Sequence, residues 1–341
     1  MSSRIATRAV DPLLEGTVDV IVIGGGAAGL NGALMLARSR RSVVVIDSGS
    51  PRNALAEGVH GLLGLDGTPP AELYARGRDE VRRYGGVLVS GEVAAADPTA
   101  PTADGDLRFT VTLTDGHTLA ARRLLVATGL RDVLPDVPGL AAHWGRGVVH
   151  CPYCHGWEVR DEPIGVLAVG SSSVHHALLF RQLTDDLVYF THGTELDQDT
   201  RARFAARDIR VIDTPVQDVI DSTDGGIAGV RLTDGSVVAR RVLAVATTMQ
   251  ARTEGLAGLR LQMEDIPGGM GRRFVAGMAG LTDVPGVWVA GNAVDLTAQV
   301  GASAAAGALA GAHINAVLAT ADTDAAIAET QRITPPATRT A

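Results

Sequence analysis

The stretch VDVIVIGGGAAGLNGALMLARSRRSVVVID, Val18–Asp47, restricts the fold more than any other part of the chain. An apolar strand runs into a glycine turn, an amphipathic helix and a second apolar strand. That order is a βαβ unit, and it demands a parallel sheet. Gly24 permits the tight turn. Gly26 leaves room for a diphosphate at the backbone, and Gly29 lets helix and strand pack closely. Ala27 and Ala28 complete the turn with small side chains, and an anion there faces the helix N-terminal N–H groups. Asp47 closes the second strand, where a carboxylate accepts from a ribose hydroxyl. The pattern predicts a bound dinucleotide.

The unit recurs. VTLTDGHTLAARRLLVATG, Val111–Gly129, aligns without gaps on VRLTDGSVVARRVLAVATT, Val230–Thr248. Each copy reads as a strand, an Asp-Gly turn, a second strand and a buried strand. Upstream, GVLAVGSSSVHHALLFRQLTDDLVYFTHG matches the first glycine unit. The fold class is therefore α/β, with two Rossmann-like domains, each a βαβ parallel sheet carrying a β-hairpin insertion. A length of 341 residues suits two cores. Residues 1–130 and 252–341 are expected to form one discontinuous domain and residues 131–251 the other. VLPDVPG and TMQARTEG read as the crossovers.

The net charge is −8 and no basic stripe exists, so nucleic acid is not an expected partner. All 30 basic residues are arginine, which excludes Schiff-base chemistry and a lysine P-loop. MSSRIATRAVDPLLEG lacks an apolar signal core, and a cytoplasmic setting is expected. The run GASAAAGALAGAHINAVLATA reads as a tightly packed soluble helix, not a membrane span.

The only two cysteines, Cys151 and Cys154, lie in HCPYCHGWEV. Alone, a C-x-x-C is compatible with metal, a static disulfide or redox chemistry. It supplies two of the four ligands that a tetrahedral zinc needs, and no second pair exists. Beside a flavin, redox chemistry is the stronger reading.

GGGAAG, the VATG ending in Gly129, the C-x-x-C and GVWVAGNAVDLTAQVGASAAAGALAGAHI together resemble the low-molecular-weight thioredoxin reductase family. The resemblance implies FAD on the first domain and a homodimer. Gly291 and Asn292 replace the family's Gly-Asp pair near the ribityl chain. Gln299, Val300 and Gly301 open a helix aimed at the flavin pyrimidine. It places Cys154 nearest the flavin and Cys151 toward the substrate thiol. His155 stands where the family has a proton-donating Asp. His150 and His143 are candidate assistants.

In the second glycine turn, gap-free alignment sets Gly170 on Gly24, Ser172 on Gly26 and His175 on Gly29, with Thr191 near the Asp47 position. The family's cluster for the NADP 2′-phosphate is reduced to His192, followed by Glu195 and Asp197. Loss of nicotinamide binding is the expectation, so electrons must enter as thiols. CPYCHG and SPRNALAEGVHGLLGLDGTPPAEL look like the dithiol oxidase branch, which closes disulfides in small natural products and passes electrons to O2, giving hydrogen peroxide. That likeness implies Arg52 and Asn53 near FAD and His60 near the isoalloxazine. The rival expectation is an NAD(P)H-dependent disulfide reductase.

Overall fold

The structure, a computed structural model, describes residues 16–102 and 105–333. The N-terminal segment read for a signal lies almost wholly outside them. The first block contains β1 (Thr17–Ile23), α1 (Ala27–Arg38), β2 (Val43–Asp47), α2 (Pro70–Arg83), β3 (Val87–Ser90), β4 (Val93–Thr99), β5 (Arg108–Leu113) and β6 (Thr118–Val126). The middle block holds β7 (Leu130–Val133), β8 (Val148–Val149), α3 (Pro152–His155), β9 (Ile164–Leu167), α4 (Ser172–Phe180) and β10 (Leu187–Phe190). It continues through α5 (Gln198–Ala205), β11 (Arg210–Ile212), β12 (Val216–Asp221), β13 (Ile227–Leu232), β14 (Val237–Ala239), β15 (Val242–Val245) and β16 (Thr248–Ala251). The chain ends with β17 (Met263–Ile266), β18 (Gly271–Phe274), β19 (Val287–Val289) and α6 (Val300–Ile333).

The first sheet runs β3-β2-β1-β6-β5-β4. Strand β6 serves it twice. Its first half pairs antiparallel with β5, and its second half pairs parallel with β19. The C-terminal block therefore closes the first sheet. The second sheet, β11-β10-β9-β15-β8, is wholly parallel. The parallel strands β1 and β2 of the first sheet and β9, β10 and β15 of the second are apolar runs buried on both faces, as strands covered on both sides require. VLPDVPG follows strand β7 and shares only Val133 with it, while β16 is the first half of TMQARTEG. β7 and β16 pair antiparallel, Leu130 opposite Ala251, and β18 and β17 extend them to a four-stranded sheet.

The Ala/Gly helix packs on α1 at backbone distance. A Cβ at Gly307 would lie 1.9 Å from the Ala28 carbonyl oxygen, and one at Gly311 would lie 2.6 Å from that of Gly32. Only glycine allows this crossing. By length and composition α6 could cross a membrane. Its buried positions Ser303, Ala310, Ile314 and Leu318 face the first core instead. Asp322 further along it meets the guanidinium groups of Arg41 at 2.6 Å and Arg122 at 2.7 Å. Both features tie α6 to the first block. Gly307→Val should force α6 off α1 and destabilise the protein by about 1–3 kcal/mol, the usual cost of overpacking. Thermal or urea unfolding would check this, with exposed Ala305→Val as the near-neutral control.

Candidate active site

One cavity of roughly 1540 Å³ runs from the first glycine turn to the cysteine pair. At its first end, Gly24 has φ +108°, and a Cβ there would collide with the Ala127 carbonyl at 2.3 Å. A Cβ at Gly29 would lie 1.8 Å from the Gly24 oxygen, so helix and strand touch as the sequence requires. Gly26 is different, because nothing lies within 4 Å of its absent Cβ. It faces the cavity and leaves a cradle at the start of α1. Gly25 was not singled out from the sequence. Its Cβ would overlap the Asp47 carboxyl at 2.6 Å, and its N–H donates to Asp47 Oδ1 at 3.3 Å.

Ala27, Ala28, Asp47, Arg52, Asn53, Gly129, Asn292, Gln299, Val300 and Gly301 also line the cavity. Gly291 and His60 do not line it. The Asn292 amide donates to the carbonyls of Ala298 at 2.8 Å and Asp295 at 3.0 Å, tying down the loop before α6. Asn53 accepts from the Tyr74 hydroxyl at 3.0 Å. His60 lies 3.4 Å from Glu158, beyond the cysteines, and 3.5 Å from Asp66.

Cys151 and Cys154 are joined as a disulfide around the single turn α3. They sit just past β8, at the C-terminal edge of the second sheet, where open α/β sheets present their ligands. His155 lines the cavity beside them. Neither of its ring nitrogens has a partner among the described residues, and burial holds its pKa below the usual imidazole value. His150 is likewise depressed, by burial and by the Arg52 charge. His143 faces away, toward Asp221 at 2.8 Å.

Asp132 and Thr247 join this site without having been foreseen. Arg52 grips Asp132 in a bidentate pair at 2.7 Å on each arm. Thr247 Oγ1 donates to Asp132 at 2.6 Å, and its backbone N–H lies 3.2 Å from His150 Nδ1. Burial pushes the Asp132 carboxyl up, but the Arg52 hydrogen bonds and charge outweigh it and leave it lowered. His176 was also missed as a site residue. Its Nε2 contacts the His150 carbonyl, and burial lowers its pKa to about 4.

The second glycine turn needs a correction. In the first unit, the Gly24 N–H donates to the Ile46 carbonyl, and in the second the Ala168 N–H donates to that of Phe190. Strand pairing sets Ile23 opposite Ile46 and Leu167 opposite Phe190. Ala168, Gly170 and Ser173 therefore stand at the positions of Gly24, Gly26 and Gly29. The gap-free alignment that put Ser172 and His175 there is two residues out of register. His175 is exposed and pushes nothing from the strand, while Ser173 is fully buried. Gly170 keeps the approach position, with φ +156°. Thr191 does occupy the Asp47 position, and its hydroxyl lies 3.3 Å from the Asp213 carbonyl. A Cβ at Gly170 would lie 3.9 Å from the Gly268 oxygen, an ordinary contact, so the Pro267–Met270 turn is a neighbour of this seat.

A parallel sheet with an open diphosphate cradle, feeding one cavity with a disulfide, defines a flavin-type disulfide oxidoreductase. The comparisons agree. The model of the pyridine nucleotide-disulphide oxidoreductase family matches residues 18–311, and the chain belongs to this family. It is 37% identical to the thioredoxin reductase tcpT of Claviceps purpurea, covering 74% of this chain and 79% of the relative. It is 31% identical to the thioredoxin reductase aclD of Aspergillus oryzae, over 80% and 88%. The crystal structure of HlmI is 44% identical, covers 94% of this chain and 98% of its own, and superposes with a TM-score of 0.86. Thioredoxin reductase-like members bind FAD, the open Gly26 cradle and the free face of Asp47 fit it, and FAD is the cofactor.

Because the fold favours neutral His176, its contribution to stability is full above the unfolded value of 6.5 and fades as pH falls toward about 4. Unfolding free energies from urea titration should drop over that window by on the order of 3 kcal/mol in the wild type. They should drop less in His176→Gln, which keeps a donor but cannot titrate.

Proposed function

We propose that the protein is an FAD-dependent dithiol oxidase. It forms an intramolecular disulfide in a small-molecule dithiol through Cys151 and Cys154, with O2 as acceptor and hydrogen peroxide as product. The reading carries with it a homodimer and a cytoplasmic setting. The observation behind it is the contrast between two equivalent turns. The Gly26 cradle lines the disulfide's cavity and has Asp47 at its strand end, whereas Gly170 does not line that cavity and Thr191 stands in the place of the acid.

Neutral, unpartnered His155 takes the proton of the first substrate thiol. The thiolate attacks Cys151, the Cys151–Cys154 bond breaks, and Cys154 departs as thiolate into the cavity. The second substrate sulfur displaces Cys151 from the mixed disulfide, and the cyclic disulfide leaves. Bound FAD supplies the two-electron acceptor that restores the pair and the outlet to O2. The balance is one dithiol and one O2 to one disulfide and one hydrogen peroxide. The roles of Cys151 as the attacked sulfur and Cys154 as the inner one follow the family resemblance.

Gly170 favours a second reading, an NAD(P)H-dependent reductase, because it preserves the shape of a diphosphate seat. Anaerobic mixing separates the two. A dithiol should bleach the flavin band rapidly and NADPH should not; bleaching by NADPH alone establishes the reductase. Cys154→Ser should abolish dithiol turnover with FAD still bound. His155→Ala should lower it by roughly 10²–10⁴-fold, the usual worth of a positioned base.

A further inference from the structure

We propose that Tyr153 and Leu55 form an apolar clamp that grips the body of the dithiol and sets substrate specificity. This deepens the oxidase reading and rests on it. Both residues line the cavity, Tyr153 between the cysteines themselves, yet Tyr153 is 67% exposed and Leu55 is 56% exposed. Large apolar groups left to solvent at a cavity mouth are where a ligand gains by covering them. Tyr153 lies between the two cysteines on α3, so it cannot leave the disulfide. Leu55 comes from the loop after β2 and rests on Gly145, which also lines the cavity. A Cβ at Gly145 would stand 2.9 Å from Leu55 Cβ, so glycine there lets Leu55 sit where it does. The two jaws thus come from separate blocks of the chain and line the one cavity that holds the disulfide.

Charge defines what the clamp accepts. Arg52 is committed to Asp132, and the neighbouring imidazoles His150 and His155 are held neutral by burial at physiological pH. Glu158, just past the cysteines, is engaged with His60. Of the other arginines that line the cavity, Arg131 is held by Glu254, Arg82 by Asp79 and Arg252 by the Ser50 carbonyl. An anionic thiol such as glutathione would find each of these counter-charges already engaged. The fitting ligand is an uncharged dithiol with an apolar or aromatic body.

Stopped-flow flavin bleaching under anaerobic conditions tests this with two probes, dithiothreitol and 1,2-benzenedimethanethiol. The wild type should prefer the aromatic dithiol. In Tyr153→Ala/Leu55→Ser the second-order rate for the aromatic probe should fall about tenfold, the scale of a lost apolar contact. The rate for dithiothreitol should stay within about twofold by the same argument. Equal loss for both probes, with FAD fully bound, would make the two residues structural and overturn the proposal. No loss for the aromatic probe would also overturn it. Inertness of the wild type toward both dithiols would remove the oxidase reading itself, and the clamp with it.

Discussion

A carboxylate with 4% of its side chain exposed holds the active-site end of the molecule in register. Asp132 lies on β7, Thr247 borders β16, Arg52 comes from the flavin-side loop, and His150 precedes the first cysteine. An isolated buried charge costs several kcal/mol, and removing its partner leaves that cost exposed. Arg52 therefore cannot drift toward a ligand without stranding Asp132. The same requirement fixes the distance between the loop carrying Leu55 and the turn carrying the cysteines. The value of such a buried pair is positional: it adds little net stability, but it selects one arrangement of four segments over its neighbours.

The two glycine units show how far the sequence could be read. The first was legible because each glycine has a separate steric task, visible in the spacing. The second misled because GSSS imitates GGGA when the small residues are matched one to one. The helix faces carry the correct register. Gly29, Gly32, Ala33 and Leu36 are buried along α1, and Ser173, His176, Ala177 and Phe180 along α4. Aligning the apolar face of each helix, instead of its turn, would have put Ser173 and not His175 beside the strand. The lost acid at Thr191 stood on firmer ground, because a strand end is located by its own run of apolar residues.

The sequence located the cysteines and His155, since a motif is a local object. It could not disclose that Arg52, which lines the cavity, also grips Asp132, because the partners are 80 residues apart. Nor could it show that His60 leans on Glu158, or that the Asn292 amide holds its own loop. These are contacts between blocks, and they exist only once β19 has closed the first sheet and β7 and β16 have paired. Gly25 was hidden for the opposite reason. It sits inside the motif, but its necessity comes from the Asp47 carboxyl packed against it, not from the turn.

The correction at Gly170 shifts the weight of the functional reading from shape to charge. A nicotinamide dinucleotide needs a seat for its diphosphate and a hydroxyl acceptor for its ribose. The backbone at Gly170 could still serve the first need, but Thr191 offers no carboxylate for the second, and its hydroxyl lies 3.3 Å from the Asp213 carbonyl. A dithiol asks for less. It enters neutral, surrenders two protons and needs only bases able to take them. Burial disfavours the charged form of His150, His155 and His176, and of the three only His155 has both ring nitrogens without a partner among the described residues, which leaves it free to meet a thiol. Such a pocket suits a reductant that delivers protons along with its electrons better than one that arrives as an anion.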